Sequence, residues 1–456
     1  MLKIFTYLRR ILKKSFDNIR NEQLKYNLLQ AIPFWIGSVI TGFFAVMYAK
    51  IFAWGENLLH FILDWHDWMI FFIAPIAFVL SWWLVKEFAP NAKGSGIPQV
   101  MAAVELANPK EHKLIRGFLS IKIIVFKILS SVILVIGGGA VGREGPTIQI
   151  AGSVFRKVNE YLPEWWPKIS KKNMIMTGAA AGLAAAFNTP LGGIVFAVEE
   201  LSKTHINYFK TALFTAVIIA GLTAQTLAGS YLYLGYPKTN DVSLMVMFPI
   251  ILVGGTAGIL ASQLSVFMLR MNKWKKRTLK TDKSNVLFLI GCALFIALIS
   301  FFISREVLGS GKEIMERILF TDEKHESWYI PILRMFGPAL SFTSGGAGGI
   351  FAPALTAGAS IGSVISGVID LSNNETNVVV LAGMVAFLTG ITRAPFTSAI
   401  IVLEMTDRHS LIFHLMLAGM ISSIASLLVS RHSLYDVLKV NFLHEIRSEN
   451  PEKNFK

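Results

Sequence analysis

Residues 137–146 read GGGAVGREGP, and residues 344–353 read SGGAGGIFAP. Five of the ten positions coincide, with Gly138, Gly139, Ala140, Gly142 and Pro146 matching Gly345, Gly346, Ala347, Gly349 and Pro353. Both stretches end in a proline, which suits the first turn of a helix because the N–H it lacks would have no helical partner there. Each is therefore read as a glycine-rich turn that opens a helix. Further out, Gly94-Ser95-Gly96 recurs as Gly309-Ser310-Gly311, and Gly178, Pro190 and Glu199 align without a gap with Gly383, Pro395 and Glu404. Any one glycine match is weak, but blocks recurring in the same order mark an internal repeat. The two halves are placed at 28–235 and 244–428 and meet through Tyr236–Ser243. Sequence alone leaves them either parallel or inverted.

Long apolar runs separate these blocks. Of 456 residues, 53% are hydrophobic and 16% charged, against about 25% charged in ordinary soluble chains. Ala31–Ala49, Pro75–Val85 with its flanks, Thr211–Ala228 and Val286–Ile303 approach the ~20 residues that cross a bilayer as a helix. Alternating segments of about ten residues, as a transmembrane barrel needs, are absent. The chain is thus expected to be an all-α integral membrane protein. Other apolar segments are short and broken by glycine or proline: Gly94–Val104, Pro146–Val158, Thr177–Phe187, Ile350–Ile361 and Val378–Phe387. Irregular backbone inside a membrane is tolerated where protein buries it or where it lines an aqueous cavity, and transporters place their sites at such helix breaks.

The net charge of +14 sits at segment ends: in the N-terminus, from Arg270 to Lys283, and after Arg431. The positive-inside rule explains this pattern and puts both termini in the cytoplasm, so no nucleic-acid partner is expected. Residues 1–27, with Lys3, Arg9, Arg10, Lys13, Lys14, Arg20 and Lys25, read as an amphipathic basic leader without a cleavage site. Residues 429–456 read as a C-terminal helix and short cytoplasmic tail. The single Cys292 cannot form a disulfide within the chain.

Four places carry chemistry. At Gly94-Ser95-Gly96-Ile97-Pro98 the glycines let backbone amides converge at a helix start, where anions are favoured, and Ser95 adds a hydroxyl. At Gly142-Arg143-Glu144-Gly145-Pro146 a carboxylate stands at another helix start. Such a charge at mid-membrane costs about 2.5–3.5 kcal/mol on insertion scales and points to function. Glu144 and a free anion would compete for the same donors, and protonation would remove Glu144 from the contest. In the second half, Ile350 and Phe351 replace Arg143 and Glu144, leaving backbone amides able to hold an anion without side-chain charge. Glu199 has a repeat mate in Glu404, which favours a structural role; Glu200 aligns with Met405 and is read as an internal proton acceptor.

Enzyme signatures fail. No HExxH pair or Cys/His metal spacing occurs, and Gly309-Ser310-Gly311-Lys312 is followed by Glu313, not the Ser/Thr of a phosphate loop. Gly137–Gly142 fits a dinucleotide motif by letter only. Ser360, within a GxSxG by letter, is read as helix packing.

GSGIP (94–98), GREGP (142–146), GGIFAP (348–353), TGAAAGLAAAFNTPLGGIVFAVEE (177–200) and RAPFTSAIIVLEMTD (393–407) together resemble the CLC family of chloride channels and exchangers, from about residue 30 to Tyr435. The resemblance implies an inverted repeat of many tilted and broken helices, assembled as a homodimer with an anion pathway in each subunit. It implies a chloride site built from Ser95, Gly96, Ile97, Arg143, Gly145, Ile350, Phe351 and Tyr435. Glu144 resembles the external gating glutamate, and Glu200 the internal glutamate of proton-coupled members. Lys127 and Arg143 would add positive potential along the path. Many members carry acidic residues after GSGIP where this chain has Gln99-Val100-Met101, so an acidic partner for Lys127 is not expected nearby.

The implied activity is exchange of chloride for protons across a bacterial inner or plasma membrane. The alternative is a passive voltage- or pH-gated chloride channel of the same fold. No enzyme activity and no cofactor are expected, chloride and protons being the transported ions. Ser95 suits a chloride-preferring member. The regulatory domains that follow the membrane part in many eukaryotic members are not expected, and Leu191–Val198 and Leu411–Leu428 would form the dimer interface.

Overall fold

The computed structural model describes residues 16–202, 210–229, 232–239 and 243–449. Lys3, Arg9, Arg10, Lys13 and Lys14 of the expected leader, and 240–242 of the expected junction, lie outside the described residues.

The first half comprises α1 (Glu22–Trp65), α2 (Ile70–Phe88), α3 (Ile97–Glu105), α4 (Ile121–Ile136), α5 (Glu144–Tyr161), α6 (Lys171–Phe187), α7 (Pro190–Phe196) and α8 (Lys210–Ala228). The second half repeats the series as α9 (Met247–Thr278), α10 (Asp282–Phe302), α11 (Lys312–Phe320), α12 (Ile330–Thr343), α13 (Phe351–Ile369), α14 (Asn373–Thr392), α15 (Pro395–Thr406) and α16 (Ile412–Leu427). A last helix, α17 (Leu434–Ser448), follows. Element lengths repeat too: α3 and α11 each have nine residues. Among the described residues nine helical stretches are long and apolar enough to cross a membrane.

The halves are inverted. Gly142 and Gly349 are repeat mates, and each donates its N–H to the other's carbonyl, at 2.8 and 2.7 Å, as an antiparallel pair. Equivalent residues that exchange the same two bonds must lie across a local twofold axis. A second reciprocal pair supports this. Glu199, just past α7, accepts the N–H groups of Phe396 and Thr397 at the start of α15 (3.3 and 2.7 Å). Glu404, near the end of α15, accepts those of Leu191 and Gly192 at the start of α7 (3.0 and 2.7 Å). Each carboxylate satisfies amides that a helix start leaves without intrahelical partners, so the two helices run antiparallel.

The glycine-marked segments prove longer than they read. Ile350–Ile361 and Val378–Phe387 are the inner parts of continuous helices of 19 and 20 residues. Gly358 and Gly383 do not break them; a Cβ on either would lie 2.2–2.3 Å from the other's carbonyl oxygen. The glycines instead let two backbones meet, and α14 is buried over almost its whole length. Likewise Thr177–Phe187 is the C-terminal part of α6.

α17 is strapped to one face of the molecule. Glu445 takes the ammonium of Lys93 at 2.9 Å and that of Lys276. Arg447 grips Glu111 with two bonds of 2.7 and 3.1 Å, which holds the Glu111 carboxyl below its usual range. Ser433 caps the helix start, which fixes Tyr435 in the first turn.

Candidate functional site

Three helix starts and one phenol converge. The loop before α3 is left-handed at Gly94 and Gly96 (φ 65° and 103°); side chains are disfavoured there, and glycine is not. Its carbonyls are turned away from the site. The Lys127 ammonium, fully buried, takes those of Ala92 and Gly94 at 2.8 and 2.7 Å. Lys127 therefore acts from behind the loop, and Gln99 serves the same backbone by donating to Asn91 and Lys93 carbonyls at 3.2 and 2.6 Å. With its carbonyls so engaged, the loop presents the N–H groups at the α3 start, Gly96 and Ile97, together with the Ser95 hydroxyl.

Ser95 Oγ and the Tyr435 hydroxyl are neighbours, both are buried, and neither has a hydrogen-bond partner of ordinary geometry among the described residues. Two buried hydroxyls left in this way are unusual, because buried polar groups are nearly always paired. A desolvated anion would satisfy both. Gly145 packs so closely that a Cβ there would fall 2.3 Å from Ser95 Oγ, so the α5 start faces the same spot. Phe351, at the α13 start, sets its ring against Tyr435, with centroids 6.2 Å apart.

Glu144 is the first residue of α5, 1% exposed, with Arg143 at the N-cap. Its carboxylate turns back toward its own amide. Oε1 accepts the Tyr233 hydroxyl at 3.1 Å, while Oε2 has no partner of ordinary geometry among the described residues. Glu144 borders a cavity of about 290 Å³ lined also by Lys50, Glu56, Arg143, Ser310 and Lys312. On the opposite side, Glu200 borders a smaller cavity together with Phe351, Tyr435 and Thr392. Glu200 lies in a π-helical turn, Ala197–Ser202, that continues α7; such turns are rare and concentrate at functional sites. Tyr435 shares that smaller cavity with Glu200.

Of the residues expected from the sequence, Ser95, Gly96, Ile97, Gly145 and Tyr435 lie close together, and Ile350 is the N-cap before Phe351. Arg143 and Glu144 line the larger cavity, Glu200 lines the smaller one, and Lys127 stands one layer back. Two further residues lie outside the motifs. Tyr233, in the segment after α8, carries no sequence signal. Arg334 did carry one: it precedes Phe351 by the same interval as Lys127 precedes Glu144. Its buried guanidinium donates to Glu306, Leu308 and Gly309 carbonyls at 2.9, 2.9 and 3.2 Å. It is the counterpart of Lys127, backing the second Gly-Ser-Gly loop.

Buried helix starts and hydroxyls set near two separate cavities, on an inverted repeat of helices long and apolar enough to cross a membrane, define a membrane transport protein. The voltage gated chloride channel family model matches residues 76–427, and the chain belongs to that family, the CLC family. It is 28% identical over 454 residues to the H(+)/Cl(-) exchange transporter ClcA of Salmonella schwarzengrund, spanning 96% of this chain and 94% of that one. It is equally similar to ClcA of Citrobacter koseri, at 28% over 430 residues, 91% and 89% of the two chains. Among solved structures, a slow cyanobacterial Cl-/H+ antiporter superposes with a TM-score of 0.76 at 22% identity, over 91% of this chain and 98% of that one. A CLC-type fluoride/proton antiporter gives 0.76 at 17% identity, over 92% and 99%.

Proposed function

We propose that this protein exchanges chloride for protons, with Glu144 as the protonatable gate and Glu200 as the inner proton acceptor. The observation that carries the reading is the position of the Glu144 carboxylate. It is buried at a helix start, beside the orphaned Ser95 and Tyr435 hydroxyls and at the floor of the outer cavity. An ionised carboxylate and a chloride ion seek the same amide and hydroxyl donors, since each is a desolvated anion. Protonation cancels the claim of Glu144, and chloride then holds the donors while the proton moves with the side chain. Chloride contacts come from Ser95, Gly96, Ile97, Gly145, Ile350, Phe351 and Tyr435, with Arg143 adding potential from the outer side. The curated relatives named as H(+)/Cl(-) exchange transporters support this reading.

The basic C-terminal end of α9 and the basic chain termini support a cytoplasmic position for the α17 face in a bacterial cell. Two copies pair through α7, α8, α15 and α16, which expose Leu191, Leu222, Phe396, Phe413 and Ile424. In liposomes under a chloride gradient, the purified protein is expected to move protons uphill. Glu200→Gln is expected to stop proton movement and leave chloride flux; Glu144→Ala is expected to uncouple the two ions. Chloride flux without proton movement at any pH would leave the passive channel as the reading.

A further inference from the structure

Four aromatic rings follow one another past the gating carboxylate. The Tyr233 ring meets Phe187 edge to face at 5.1 Å, Phe187 stacks on Phe351 at 6.2 Å, and Phe351 tilts against Tyr435 at 6.2 Å. The row ends in a phenol at each end, and one of these phenols touches Glu144. The Tyr435 hydroxyl, beside Ser95, has no partner of ordinary geometry among the described residues. The one on Tyr233 donates to Glu144 Oε1 at 3.1 Å.

Tyr233 is held firmly for a residue in a connecting segment. It is 3% exposed, and the N–H of Leu234 beside it donates to the Met405 carbonyl at 3.1 Å. The Lys312 ammonium lies 5.3 Å from its ring centroid; a cation there is attracted to the ring face and makes the phenol a stronger donor.

We propose that Tyr233 is a positioning residue, an outer latch that holds the ionised Glu144 carboxylate off the Ser95–Tyr435 donors so that chloride can occupy them. This rests on the reading of Glu144 as the gate. A neutral donor suits the task. It favours the ionised carboxylate, yet releases it on protonation without leaving a buried charge behind. Without the latch, the carboxylate turns to the inner donors and competes with chloride.

Charged and titratable groups face Glu144 from every side. Arg143 precedes it, Lys50 and Glu56 come from α1, and Lys312 comes from α11. Tyr48 also comes from α1, with its hydroxyl engaged by Ser131 at 2.6 Å, and Tyr435 lies on the inner side. From the segment after α8, the Tyr233 hydroxyl donates directly to the Glu144 carboxylate.

Tyr233→Phe removes the hydroxyl and keeps the ring contacts. With the full-length protein in liposomes at neutral pH, the variant is expected to raise the half-saturating chloride concentration about three- to tenfold, the effect of one hydrogen bond to a charged group partly replaced by water. The maximal rate should stay within about twofold. Chloride affinity by calorimetry should fall by the same factor. The effect should shrink as acid protonates Glu144, and it should vanish in a Glu144→Ala background. Unchanged chloride dependence in Tyr233→Phe overturns the latch, as does a shift that persists without the Glu144 carboxylate. Proton movement by the unsubstituted protein, recorded in the same vesicles, tests the antiport reading separately. If it is absent that reading falls, while the coupling between Tyr233 and Glu144 still decides the latch.

Discussion

Gly145→Ala adds one methyl group to the anion site and serves as a measure of how tightly that site is built. Gly145 is not left-handed, so alanine fits its backbone, and in the first turn of α5 alanine is the better helix former by about 1 kcal/mol. A stability loss from local backbone is therefore not expected. The new Cβ, however, would lie 2.3 Å from Ser95 Oγ and 2.9 Å from the Ser95 carbonyl oxygen, where ordinary contact is 3.4–4 Å. The hydroxyl must retreat by roughly 1 Å, far enough to break a hydrogen bond to an anion, whose length varies by only a few tenths of an ångström. Losing a hydrogen bond to a charged group costs about 1.5–3 kcal/mol of binding, while the crowding of a packed loop falls on fold stability and not on affinity. Chloride affinity is expected to fall about ten- to a hundredfold. Isothermal calorimetry of the purified protein reads this directly. Ser95→Ala, which removes the hydroxyl without adding bulk, sets the scale, and Gly145→Ala should match or exceed it. If Gly145→Ala binds chloride within about twofold of the unsubstituted protein, the α5 start does not face the Ser95 donor and the construction of the site is wrong.

Glu404→Ala removes the cap on two amides at the α7 start and is expected to cost about 1–3 kcal/mol, read as a lower melting temperature in detergent; an unchanged value would remove Glu404 from the reciprocal clasp. The Glu111–Arg447 pair carries a pH dependence whose sign follows from the depressed Glu111 carboxyl. Its stabilisation is complete above the unfolded value of about 4.3 and is lost as pH falls through the lower folded value. Arg447→Ala should therefore melt earlier than the unsubstituted protein at neutral pH and converge with it only once pH falls below the lowered folded value, whereas an equal gap at neutral and strongly acid pH would assign the loss to packing.

The class of this protein was open to reading because its signals are local. Apolar runs of bilayer length and the paired GGGAVGREGP and SGGAGGIFAP turns act through hydropathy and backbone chemistry that a short stretch expresses by itself. A buried carboxylate between glycines in such a turn, at Glu144, is informative for the same reason. Element lengths were read less well. The glycines of α13 and α14 looked like breaks in the chain, and only the crossing at Gly358 and Gly383 reveals that they serve backbone contact between two intact helices. The hand of the repeat was likewise hidden, since a parallel and an inverted pair share one residue pattern; the exchanged bonds of Gly142 and Gly349 decide it. Tyr233 was beyond reach for a more general reason. It meets Glu144 across 89 residues of chain, and a hydrogen bond at that separation exists only once the helices between have packed.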